Sequence, residues 1–434
     1  MKNRFSKLFI LFLATSGALQ AQELLTLDKA INLSLEQSYG IQIAKMQQQA
    51  ADIQVFKGNA GMMPRVDWNA NLGTALNQVN QKLANGTDIN RFGRSITPNS
   101  NVVMSWVLYD GKRMYATLDR LKNQSQLSQV QTKMMIENTV LAVMRAYYEV
   151  MRQKETVKFL ETGIKYYDER LKITEERWQV GKGSKLDYLQ SKTDLTTQQT
   201  EMVRAKNALK NAKIALNDAM NRTSEADFEV QDAISTMFEP SISELQSKAR
   251  TNNVNIQLLR KSTDISLNQE REAQAQKLPR ITLNSSLGYN LNATNAGLFL
   301  YNQTVGLNTG IAATWNIFNG EIIRRQIQTA KINTDILQKQ QLDLAQQLDF
   351  ELVRAYNQYQ ADKELLVLEE ENTKIVEENL QISLEKFKLG GSTILELNDA
   401  QRRFDTSLNR LVNARFNVKI SELEMMRLSG ELVK

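Results

Sequence analysis

Apolar residues along this chain follow two different periods. From Arg65 they fall on alternate positions, Val66, Trp68, Ala70, Leu72 and Leu76, with Asp67, Asn69 and Asn71 between them. Period two marks a strand with one apolar face. The same alternation runs through Ile281, Leu283, Leu287, Tyr289 and Leu291, and again through Val305, Leu307, Ile311, Ala313, Trp315 and Ile317. The pattern predicts strands at about 65–76 and 101–109, and at about 281–291 and 304–318, with polar loops over 77–100 and 292–303. After each second strand the period lengthens. Residues 112–178 are interrupted only by Gly163, and residues 321–389 hold neither Gly nor Pro. Leu127, Val130, Met134, Leu141, Met144, Tyr148 and Met151 keep coiled-coil spacing, with Glu137 as the exception. At about 1.5 Å per residue such a helix is a rod of roughly 100 Å, longer than a globular core.

The chain also repeats itself. "MPRVDWNANLG" (63–73) matches "LPRITLNSSLG" (278–288), "SWVLYDG" (105–111) matches "TWNIFNG" (314–320), and "VGKGS" (180–184) matches "LGGST" (389–393). "RAY" at 145–147 recurs at 354–356, so the last three pairs share one offset, 314 − 105 = 209. Two structural copies follow, 22–222 and 242–434, joined by a connection over 223–241 at mid-height. In each copy a long helix runs out, turns at a glycine-containing tip (180–184 or 389–393) and returns over about 185–222 or 393–430. Helices over about 242–277 and 27–62 complete the two copies.

Composition sharpens this picture at a few points. The only prolines are Pro64, Pro98, Pro240 and Pro279, so nothing of that kind breaks the long helices. The first 21 residues, "MKNRFSKLFILFLATSGALQA", read as a signal peptide: Lys2, Arg4 and Lys7 precede an apolar core that ends in small residues, with cleavage near Ala18 or Ala21. Removing it lowers the net charge from +6 to about +3, which argues against nucleic acid as a partner. Cysteine and histidine are absent, which excludes Ser-His and Cys-His catalysis, thiolate or imidazole metal sites and acylated-cysteine anchoring. No catalytic residue, metal ligand or cofactor site is predicted. "GKGS" at 181–184 is no phosphate loop, because Glu176 stands where the first glycine is required. Tyr147, Tyr148 and Tyr356 read as coiled-coil packing, and Trp68, Trp106 and Trp315 as residues near a membrane interface.

Four alternating strands with one apolar face, in an exported chain whose rods leave no compact core for a sheet, predict a membrane β-barrel. Four strands cannot close alone, and an open edge in lipid leaves backbone groups unpaired. Two or three copies sharing one barrel would supply eight or twelve strands. The order and duplicate spacing of the motifs, "LPR" before a strand, "W..[LI][YF][DN]G" after one, and the "VG.G....D" and "LG.....E..D" tips, resembles the TolC-like outer-membrane efflux proteins, the outer membrane factor family.

That resemblance implies a mainly α fold with β. It implies a homotrimer whose 12-stranded barrel in outer-membrane lipid continues into a periplasmic α-helical barrel. It implies the passive exit duct of a tripartite efflux or type I secretion system, not an enzyme. The partners implied are a periplasmic adaptor (membrane fusion) protein and an inner-membrane transporter of RND, ABC or MFS type. Val180, Gly181, Gly183, Leu389, Gly390 and Gly391 take the places of adaptor-docking tips, and Asp187, Phe387, Ser392, Glu396 and Asp399 those of the periplasmic gate. The sequence departs from the best-known member in two ways. Ser392 stands where the second tip would offer a basic residue, leaving Lys182 and Lys185 in the first tip, and Phe387 replaces a gate tyrosine. The competing reading is a coiled-coil scaffold or adhesin of the envelope, which leaves the strand pairs unexplained. A carboxylate-only glycoside hydrolase lacks any visible cleft-forming domain.

Overall fold

A computed structural model describes residues 24–230, 239, 241–296 and 299–432. The predicted signal peptide, and residues 231–238 and 240 of the mid-height connection, lie outside the described residues. The elements in chain order are β1 (Leu24–Leu25), α1 (Leu27–Gln37), α2 (Tyr39–Gln54), β2 (Arg65–Lys82), β3 (Asp88–Tyr109), α3 (Arg113–Gln179) and α4 (Lys185–Ala219). Then follow β4 (Glu229–Val230), α5 (Ile242–Asn252), α6 (Val254–Ala275), β5 (Arg280–Thr294), β6 (Tyr301–Thr314), α7 (Ile322–Lys388) and α8 (Ile394–Ser429).

The duplication extends to the places where helices break. The predicted single helix over 27–62 is two helices broken at Ser38 and ending at Gln54, and that over 242–277 is broken at Asn253. The offset, 253 − 38 = 215, is that of the strand blocks, 278 − 63 = 215. The second break has a polar cause. The Asn253 side chain accepts from the amides of Asn255 (3.0 Å) and Ile256 (3.4 Å), starting a new helix where the previous one stops. At each strand-to-helix corner two successive residues are left-handed, Gly111 and Lys112 in the first copy, Gly320 and Glu321 in the second. That is the conformational demand behind the repeated "[DN]G".

The chain forms two compact units. One comprises Tyr39–Asn138, Pro240–Tyr356 and Met425–Lys434 and carries an antiparallel sheet of order β2-β3-β5-β6. Its strands run further than the alternation predicts: β2 and β3 pair from Arg65↔Ser105 to Lys82↔Asp88, so the loop is only 83–87 instead of 77–100. Apolar alternation marks where one face must meet an apolar medium, whereas ladder hydrogen bonds need no apolar side chain. In the second pair β6 begins at Tyr301, and it stops at Thr314 rather than at 318. Trp315 has left the ladder and donates its indole N–H to the Lys277 carbonyl (3.0 Å), as Trp106 does to the Met62 carbonyl (3.0 Å).

The other unit comprises Met1–Ser38, Thr139–Glu239 and Asn357–Glu424. It holds β1 paired in parallel with β4, and the turned ends of the α3/α4 and α7/α8 hairpins. Its core near the tips is Leu380, Leu384, Phe387, Leu397, Ala400, Phe404 and Leu408, with Phe159, Tyr166 and Ile173 of α3 packed on it. Tyr147 and Tyr148 are buried and meet edge to face, and the Tyr147 hydroxyl donates to the Leu25 carbonyl (3.0 Å). Burial pushes the Tyr148 phenol up to about 12.

Candidate functional site: an amphipathic sheet and a clamped pair of helical tips

Register assigns every strand residue to a face. Val66, Trp68, Ala70 and Leu72 of β2 share a face with Met104, Val102 and Ile96 of β3. The same face continues through Leu283, Leu287 and Leu291 of β5 and Ile311, Leu307 and Val305 of β6. The sheet covers none of this surface: Leu72 is 74% exposed and Ile311 70%. The opposite face carries rungs of amides and hydroxyls, Asn71–Asn99–Asn290–Thr304 among them. Next to it, Asn69 and Asn101 share a rung with Gly288 and Gly306. Its charges lie near the ends, with Arg65 ion-paired to Asp67 at 2.8 Å. Both β2 and β6 are open edges. Among the described residues no helix is long and apolar enough to cross a membrane, and no carboxylate cluster has metal-binding geometry.

The two tips share one backbone design. Lys182 N–H donates to the Arg177 carbonyl and Gly391 N–H to the Lys386 carbonyl, both at 2.8 Å, closing α3 and α7 with the same six-to-one bond. Within each predicted glycine pair only the first member, Gly181 or Gly390, has positive φ. Gly183 serves close approach instead, since a Cβ there would lie 2.8 Å from Arg177 Cβ. Val180 and Leu389 are 67% and 87% exposed.

The predicted gate residues fall in different surroundings. Glu396 closes a capping box on α8: its amide donates to Thr393 Oγ1 and its carboxylate accepts from the Thr393 amide, both at 3.3 Å. Asp399 bonds Arg403 (2.6 Å) and Arg402 (2.8 Å), and these guanidinium hydrogen bonds hold its carboxyl below the usual range. Asp187 lies in the first turn of α4. The hydroxyl of Ser392 is buried and has no hydrogen-bond partner among the described residues. Phe387 is 3% exposed and belongs to the tip core.

Sequence reasoning missed the cations that join the hairpins. Lys182 and Lys185 do not cross between them; Lys185 lies 5.7 Å from the Trp178 ring centre in its own tip. Arg177 of α3 crosses instead. Its guanidinium lies 4.6 Å from the Phe387 ring centre and donates to the carbonyls of Phe387 and Lys388 in the last turn of α7, the first of which also accepts the Gly390 N–H (3.1 Å). Lys388 returns an ion pair to Glu169 at 2.5 Å.

About two helical turns further in, Arg170 is 1% exposed. It donates to Asp194 of α4 and to Asn398 and Gln401 of α8. Beside it the Tyr167 hydroxyl donates to Asp405 (2.7 Å), whose carboxyl burial pushes up. A signal for these residues existed. Phe159, Gly163, Tyr166, Arg170, Ile173 and Arg177 keep the alternating four-and-three spacing of a buried stripe, so two arginines occupy core positions, as Glu137 does earlier in the same helix.

The family model for outer membrane efflux proteins matches residues 30–222 and 245–431. This chain belongs to that family, and membership places it in the outer membrane. Its fold is that of solved outer-membrane channels. VceC from Vibrio cholerae is 16% identical over 93% of this chain and 96% of its own, with a TM-score of 0.75. CmeC from Campylobacter jejuni is 16% identical over 94% and 86%, with a TM-score of 0.77. TolC of Escherichia coli is 24% identical over 200 residues, and the match spans 44% of this chain and 40% of TolC.

Proposed function

We propose that the protein is the outer-membrane exit duct of a tripartite efflux or type I secretion system, working as a homotrimer. The observation that carries this reading is the four-stranded sheet with two open edges, one face apolar across every strand and the other polar. Closing β6 of one copy on β2 of the next satisfies both edges, and three copies give twelve strands with the apolar face in lipid and the amide rungs around water. The α3/α4 and α7/α8 hairpins would then form a periplasmic stalk. Such a duct is passive: an adaptor and an inner-membrane transporter of RND, ABC or MFS type supply cargo and energy. The exposed Val180 and Leu389, with Gly181, Gly183, Gly390 and Gly391 shaping the turns, form the adaptor-docking surface in this reading. Detergent extraction of the full chain, with mass by light scattering and shape by negative-stain microscopy, tests the assembly. A membrane-extracted trimer with a hollow stalk is expected, and a water-soluble monomer would overturn the duct.

At the tips, Asp187 and Glu396 supply the uncompensated carboxylates of a cation-favouring constriction, because Asp399 is neutralised in place by Arg402 and Arg403. Arg177 holds the resting tips together by joining the first hairpin to the end of α7 beside Phe387. Arg177→Ala is expected to raise single-channel conductance in planar bilayers and to admit large antibiotics in cells. Glu396→Gln with Asp187→Asn is expected to lower cation preference, and Asp399→Asn to change it little. A closed channel in the Arg177 variant would remove that residue from the gate.

A further inference from the structure

The two hairpins of the sheet are unequal, and the longer one carries a cation where the apolar face stops. We propose that Arg94, with Phe92 beyond it, binds the phosphorylated glycolipid headgroups of the outer leaflet; this rests on the reading of the sheet as part of a barrel.

The height of the apolar face follows from register. The row through Trp106 and Leu283 and the row through Ile96 and Ala293 are 106 − 96 = 10 residues apart. At about 3.4 Å per residue and a tilt of about 45° this is roughly 24 Å, close to the ~25 Å apolar band of an outer-membrane barrel. The helices join the sheet at the Trp106 end, so the Ile96 end faces outward from the cell in that barrel. The β5/β6 ladder ends there, at Ala293↔Tyr301. The β2/β3 ladder continues past Leu76↔Arg94 to Lys82↔Asp88.

Arg94 is the first residue of β3 beyond the apolar band on the lipid-side face, directly opposite Leu76. Its backbone is held from both sides by one residue of the second hairpin. The Arg94 amide donates to Asn295 Oδ1 (2.6 Å), and the Asn295 amide donates to the Arg94 carbonyl (3.1 Å). Neighbouring Gly93 allows this docking, since a Cβ there would lie 2.5 Å from Ala296 Cβ. The backbone at Arg94 is therefore anchored relative to the apolar face.

Its guanidinium is exposed, and no carboxylate pairs with it among the described residues. Lys82, the other cation on this face of the hairpin, stands at its far end with the carboxylate residue Asp88 as its cross-strand neighbour. Phe92, two residues on and 64% exposed, shares the face and offers an apolar ring beside the cation. Arg65, at the other end of the sheet, lies on the polar face and is ion-paired. An unpaired guanidinium at the lipid border suits a phosphate monoester, which it bonds through two parallel N–H groups.

The test uses the full chain, purified in detergent and placed in lipid nanodiscs containing phosphorylated or dephosphorylated lipid A, with bound lipid counted by native mass spectrometry. The wild type is expected to retain the phosphorylated form preferentially. Arg94→Gln is expected to weaken that preference about fivefold, and Arg94→Lys to restore part of it. Arg91→Gln, on the opposite face of β3, is expected to leave it unchanged. Equal retention by wild type and Arg94→Gln would overturn the proposal. Displacement of the lipid by inorganic phosphate would reduce it to a free-anion site. A wild-type chain that does not enter nanodiscs at all would fail the barrel reading itself.

Discussion

Leu287→Arg is expected to abolish the membrane-inserted form of the protein, whereas Ser286→Arg, one residue earlier, is expected to leave it intact. Leu287 shares its row with Val102 and Leu307, four residues from the Trp106 row and six from the Ile96 row, so it lies near the middle of the apolar band. A cation on the lipid face at mid-depth costs about 2–4 kcal/mol per copy. In the proposed trimer this would sum to roughly 6–12 kcal/mol, comparable with the whole stability of a typical fold. Ser286 shares the polar face with Val103 and Asn308, where the same charge meets water. The check is the fraction of each variant recovered as a detergent-extractable oligomer from washed envelopes. Recovery of Leu287→Arg at wild-type level with loss of Ser286→Arg would reverse the two faces.

The second large effect is expected at the inter-hairpin lock. Asp194→Leu leaves the Arg170 guanidinium, 1% exposed, with only the neutral acceptors Asn398 and Gln401. An uncompensated buried charge of this kind costs about 3–5 kcal/mol. Arg170→Met should cost less, about 1–3 kcal/mol for the one buried neutral acceptor it strands, Gln401, because Asn398 is half-buried and Asp194 is 35% exposed, so both regain water. The double variant should resemble Arg170→Met rather than the sum. Urea unfolding of the three variants measures this order. A double variant as unstable as the two singles added together would show that the pair is not coupled.

Much of this architecture is legible in the residues, because each legible feature is a local pattern. Val66, Trp68 and Leu72 alternate because a strand shows every second side chain to one side. The α3 and α7 helices run unbroken because their segments hold almost nothing that ends a helix. Where local pattern and backbone pairing part company, the sequence misleads. Residues 77–82 and 88–100 look like loop since most of their side chains are polar and the apolar ones keep no regular alternation, yet their ladder continues because backbone groups pair whatever the side chains are. The same limit hides the tip chemistry. Glu396 and Asp399 look alike three residues apart, and only their neighbours separate a helix cap from a carboxylate held between two arginines.

The sequence by itself determined the duplicated plan, the period of each element, the turns at Gly181 and Gly390, and the membership of an outer-membrane efflux family. These rest on interactions within a few residues or on repeated motifs. The tertiary structure alone decided that Arg177, and not Lys182 or Lys185, reaches the end of α7. It alone buried Arg170 against Asp194 and held Arg94 at the border of the apolar face. These contacts join residues 24 to 211 positions apart. A long, flexible cation has a partner only where packing brings an acceptor within reach, and no sequence spacing encodes that distance.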